Sequence, residues 1–161
     1  MSKRCKVIPD VSYLIKAPAY IFILVFFFPS VVLGVITTFL PEPDMAGSFA
    51  TESIVLDLLI AVIVVPLLET LLFQSLIIEI ICKIIKRPRK NICIAVIVSS
   101  LAFALNHTYS LSYIIMAFFW GIIFASAYYL GRYRKESAII LVYIIHAVYN
   151  LSSSLYNLLS H

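Results

Sequence analysis

The chain consists of long apolar runs, and its lysines and arginines are confined to the gaps between alternate runs. Runs with little or no charge cover residues 17–40, 54–82, 92–107, 111–130 and 138–159. An α-helix rises about 1.5 Å per residue, so about 20 apolar residues cross a hydrocarbon core of about 30 Å. The pattern predicts an all-α fold: a polytopic transmembrane helix bundle of about five spans, in a single membrane domain over residues 1–161. Composition supports this, since 63% of the residues are apolar and 12% charged, against roughly 45–50% and about 25% in soluble domains. An ordinary soluble globule is excluded.

The basic residues orient the bundle. Lys3, Arg4, Lys6 and Lys16 precede the first run. Lys83, Lys86, Arg87, Arg89 and Lys90 separate the second from the third, and Arg132, Arg134 and Lys135 the fourth from the fifth. All twelve fall on one side of the bundle. The positive-inside rule then predicts an N-in, C-out protein of the cell membrane. The net charge of +4 is explained by topology, and no nucleic acid is expected as a partner. Ser48-Phe49-Ala50 resembles a cleavage site, but the preceding run is far longer than the roughly 7–15 residues of a signal core, so it is read as a retained span. Cys5, Cys82 and Cys93 lack metal or disulfide spacing, and Cys5 is read as an unmodified interfacial residue.

Ionisable residues inside a span are costly and mark functional sites. Asp57 falls in the first turn of its run, and Glu79 precedes Lys83 by four residues, so both are read as structural, the latter as an i, i+4 pair. Glu69 is roughly 20 Å from either end of its helix. His107 lies about 22 Å, and His146 and Asn150 about 12 and 18 Å, from the basic ends of theirs. The four thus share a slab about 10 Å thick. Tyr143, His146, Asn150, Ser153 and Asn157 recur at spacings of three and four, predicting one face turned toward other helices. Ser100, Phe103 and His107 share a face in the same way. Ser100, Ser153, Asn157 and Tyr143 are read as interhelical hydrogen-bonding groups, and Gly121 with Ala125 as a close-packing pair. Pro66 is expected to kink or break the second run.

A glutamate and a histidine can share a proton as general base and acid, which suits water activation. A histidine N–H and an asparagine amide one turn apart supply two donors to a developing oxyanion. Glu69, His107 and His146 also form a possible zinc set, although the local H-E-x-x-H signature is absent and asparagine is a poor zinc ligand. No cofactor is expected, with a divalent metal such as zinc as the alternative.

These residues resemble the CPBP intramembrane proteases, also called the CAAX protease and bacteriocin-processing or Abi family. The family's Pro-x-x-Glu-Glu-x-x-x-Arg run is similar to Pro66-Leu67-Leu68-Glu69-Thr70-Leu71-Leu72-Phe73-Gln74. Its Phe-x-x-x-His matches Phe103-Ala104-Leu105-Asn106-His107, and its His-x-x-x-Asn matches His146-Ala147-Val148-Tyr149-Asn150. The motifs span residues 66–150. The resemblance implies an intramembrane endopeptidase that cuts a membrane protein or lipid-anchored peptide. Glu69 and His107 would activate water while His146 and Asn150 hold the oxyanion. Thr70 and Gln74 replace the family's second glutamate and its arginine. They stand four apart, neutral but able to hydrogen-bond, and with Phe103 are expected to support the site. Two other functions fit the same residues: an inactive relative acting as a bacteriocin-immunity or regulatory membrane protein, and a small proton-coupled carrier.

Overall fold

A computed structural model describes residues 11–40, 53–86 and 88–160. Cys5, Ser48-Phe49-Ala50 and the basic residues Lys3, Arg4, Lys6 and Arg87 lie outside the described residues. The described chain is helical, with no strand: α1 (Ser12–Lys16), α2 (Ala19–Thr37), α3 (Ile54–Ile84), α4 (Pro88–Leu105), α5 (Leu111–Gly131) and α6 (Ala138–Ser160). By length and composition α2, α3, α5 and α6 can each cross a membrane, and the apolar part of α4, Asn91–Leu105, is shorter. The bundle of about five membrane helices is therefore the observed architecture.

The centre of the bundle is α5, with 61% of its apolar window buried against 17%, 17% and 22% in α2, α3 and α6. Small residues let it sit there. A Cβ at Gly121 would stand 2.8 Å from the Ser100 Cα, so the backbones of α4 and α5 touch through the Gly121 and Ala125 pair. Trp120 of α5 reaches α2, its indole N–H donating to the Ser30 carbonyl at 3.1 Å.

Pro66 does not break α3. The helix instead widens to π-helical over Ile60–Val64, just before the proline, and again over Thr70–Leu76. In the first widening the Val65 N–H bonds to the Ile60 carbonyl, five residues back. The next donor in that register would be Pro66, facing Ala61, and proline has no N–H. The orphaned Ala61 carbonyl accepts instead from the Asn150 amide of α6 at 2.9 Å. Within the second widening, the Phe73 carbonyl accepts from the Ser99 hydroxyl of α4 at 2.9 Å. Side chains from neighbouring helices thus hold the backbone at both irregularities.

The basic end of the bundle is a set of ion pairs. Glu79 pairs with Arg132 through two contacts at 2.6 and 3.1 Å, rather than with Lys83 as the i, i+4 spacing predicts. Arg132 lies at the end of α5, where its planar fork matches both carboxylate oxygens, and it also donates to the Cys82 sulfur at 3.1 Å. Arg134 closes off α1, a short helix absent from the sequence expectation. It donates to the carbonyls of Leu14, Ile15 and Ala17 and lies 4.8 Å over the Phe22 ring. Its side chain is only 1% exposed.

Candidate active site

Three elements deliver the titratable groups. Glu69 precedes the second widening of α3, and His146 lies within α6. His107 departs from expectation: α4 ends at Leu105, so the histidine belongs to the short connection into α5 rather than to the helix. It is still anchored to that helix, its backbone N–H on the Ala104 carbonyl at 2.9 Å and its ring Nδ1 on the Phe103 carbonyl at 2.7 Å.

One carboxylate lies between two imidazoles. Oε1 of Glu69 stands 3.5 Å from His107 Nε2, and Oε2 stands 3.5 Å from His146 Nε2. Glu69 and His146 are buried, at 7% and 3% exposure. The Phe103 carbonyl can only accept, so His107 Nδ1 carries a hydrogen, and the Nε2 of the neutral ring turns its lone pair toward Glu69. A single proton can therefore be held by either group. Aromatic rings fix both imidazoles: Phe103 lies 4.5 Å from the His107 ring and 5.8 Å from that of His146, and Phe124 stacks on His146 at 4.4 Å. Phe103 thus packs against both imidazoles.

Asn150 is one turn beyond His146 on α6, with its amide nitrogen on the Ala61 carbonyl. One N–H of that amide is committed to α3, leaving the other for a ligand. Farther along α6, Ser153 and Asn157 are exposed. Asn157 and Ser154 line a cleft of about 250 Å³ with Asp57 and Ala61 of α3.

Thr70 and Gln74 are fully buried, but their side-chain polar atoms have no hydrogen-bond partner among the described residues. Neither bonds to the other. They lie in the π-helical stretch Thr70–Leu76, where i, i+5 bonding replaces the i, i+4 register that would align them. Glu69, His107 and His146 do come together. However, their nitrogens face different oxygens of one carboxylate, and among the described residues no three such side chains converge to hold a metal ion.

The sequence reading missed four neighbours. Asn106 offers its side chain to Glu69, Phe124 stacks on His146, and Tyr109 and Tyr113 flank the His107 ring at 6.4 and 5.9 Å. Tyr109 and Tyr113 follow His107 within six residues, a proximity that gains meaning once the tight connection is recognised.

A helical membrane bundle with a buried carboxylate between two histidines is a polytopic membrane protein with a candidate functional site in its core. The family model for type II CAAX prenyl endopeptidase Rce1-like proteins matches residues 51–152, and the chain belongs to that family. The match includes Glu69, His107, His146 and Asn150 and leaves out α1 and α2. No curated protein and no solved structure matches the chain.

Proposed function

We propose that the protein is an intramembrane endopeptidase that hydrolyses a peptide bond in a membrane protein or lipid-anchored peptide. The observation that carries this reading is the Glu69 carboxylate with one oxygen toward each of two histidines from different elements, both at 3.5 Å. Water placed against Glu69 and His107 loses a proton to that pair as its oxygen attacks the scissile carbonyl. The same proton then passes to the departing amine. His146 and the remaining amide N–H of Asn150 face the charge that develops on the carbonyl oxygen. No metal is required for these steps. In this reading the basic end of the bundle is cytoplasmic, with the N-terminus inside and the C-terminus outside.

The test is hydrolysis of a peptide library by purified protein in lipid, with prenylated and unprenylated C-terminal peptides compared and products identified by mass spectrometry. Cleavage by the wild type, its loss in Glu69→Gln and its persistence with a chelator are expected. A cellular phenotype unchanged by Glu69→Gln would identify an inactive immunity or regulatory relative. Proton flux in vesicles that disappears in His107→Ala would identify a carrier.

A further inference from the structure

The proposed reaction needs hydrogen-bond donors at the carbonyl oxygen, and most nearby donors are already engaged. His107 Nδ1–H is held by the Phe103 carbonyl, one Asn150 N–H by the Ala61 carbonyl, and His146 Nε2 faces Glu69. Asn106 also points its side chain at Glu69. Beyond the second Asn150 N–H and the His146 Nδ1, which has no partner among the described residues, one further donor beside the site is uncommitted. Tyr113 lies in the first turn of α5, where its backbone N–H bonds to the Ser110 hydroxyl at 3.1 Å and fixes the start of the helix. Its ring packs 5.9 Å from that of His107, 5.3 Å from Tyr109 and 6.2 Å from Trp120. Trp120 is itself tied to α2 through Ser30, so the Tyr113 ring is held on several sides. Its phenol lies within electrostatic reach of the Glu69 carboxylate, and its hydroxyl makes no hydrogen bond among the described residues.

We propose that Tyr113 is a further catalytic residue: its phenol O–H donates a hydrogen bond to the scissile carbonyl oxygen and stabilises the oxyanion. The inference rests on the endopeptidase reading above. The proton stays on tyrosine throughout, so the residue adds stabilisation without changing the proton balance of Glu69 and His107. A phenol is suited to this position because it is rigid, with two side-chain torsions, and keeps an apolar body against the aromatic rings while its tip is polar. The neighbouring Tyr149 differs. A Cβ at Gly34 of α2 would stand 3.1 Å from the Tyr149 hydroxyl, so that hydroxyl lies against the first long helix.

The experiment compares Tyr113→Phe with Tyr149→Phe in the full-length protein, using a cleaved peptide from the library above. Removing one oxyanion donor elsewhere costs about 10²- to 10³-fold in kcat. A fall of at least about tenfold in kcat is expected for Tyr113→Phe, with KM within about twofold, while Tyr149→Phe keeps its kcat. A Tyr113→Phe kcat within about twofold of wild type, with wild-type cleavage intact, overturns the Tyr113 role and leaves the endopeptidase reading standing. Absence of cleavage by the wild type overturns both. If Tyr113→Phe does not fold, 3-fluorotyrosine at position 113 replaces it. That stronger hydrogen-bond donor should change kcat, and an unchanged kcat overturns the proposal.

Discussion

Glu69 and Glu79 lie ten residues apart on one helix and have opposite surroundings. Glu79 is held by two contacts from Arg132, and its side chain is 37% exposed. The Glu69 side chain is 10% exposed, and its ion-pair partners are imidazoles at 3.5 Å, beyond the roughly 2.7–2.9 Å of a charge-assisted hydrogen bond. Arginine is permanently charged, so the Glu79 pair works as a joint between α3 and the end of α5. Imidazole carries no permanent charge, so Glu69 has no fixed cationic clamp. The difference separates a carboxylate clamped by a fixed charge from one set between two imidazoles.

Neutralising each carboxylate tests that division. Glu69→Gln should lower peptide hydrolysis by at least about 10³-fold while leaving thermal stability unchanged or slightly raised, since a buried charge without a cationic clamp is removed. Glu79→Gln should keep hydrolysis and lower stability by only about 1 kcal/mol, because the pair is partly exposed. Hydrolysis assays and unfolding in detergent on both variants decide the matter. Equal losses of activity would erase the distinction. His107→Ala is the next largest effect, expected at about 10²-fold or more in kcat. It leaves Glu69 with His146 alone, and an unaffected rate would remove His107 from the chemistry.

The same helix contrasts regular turns with two widened ones. Asn150→Ala should leave the Ala61 carbonyl without its donor and destabilise the protein by about 1–3 kcal/mol. Hydrogen exchange should increase around residues 61–65 before it increases around Glu79. A variant with unchanged exchange there would show that Asn150 does not hold the π-helical seam.

Much of the fold could be read in the sequence because membrane helices are specified by local composition, and 54–82 or 111–130 need no tertiary information to be recognised. The meeting of Glu69, His107 and His146 was legible as similar depth in three separate apolar runs, although His107 lies just past the end of its helix. What escaped depended on distant partners or backbone register. The pairing of Glu79 with Arg132 rather than Lys83 joins residues 53 apart, and i, i+4 spacing favours the local partner. The widening before Pro66, and hence the use of the Asn150 amide, follows from a missing N–H whose consequence depends on how the helix adapts. The length of α4 was overread because no charge, glycine or proline marks its end: Asn106 and His107 follow Leu105 directly. Tyr113 carried no signal of its own, being one of ten tyrosines in a chain rich in aromatic residues.

The smallest expected effect concerns the two neutral residues beside Glu69. Where Glu79 has a complete set of partners, Thr70 is fully buried and its hydroxyl has none among the described residues. Thr70→Val keeps the branched shape and removes the unsatisfied group, so the usual penalty for deleting a hydrogen bond does not arise. A gain of about 0.5–1 kcal/mol in unfolding free energy is expected. Gln74→Ala is the useful contrast, because it removes unsatisfied polar atoms but also leaves a cavity, whose cost opposes the gain. Stabilisation by the first variant with destabilisation by the second would show that shape, rather than a Thr70–Gln74 hydrogen bond, is what these positions contribute. A loss of more than about 1 kcal/mol in Thr70→Val would mean that the hydroxyl has a partner in the membrane, and that the pair retains a polar role in place of the family's two charges.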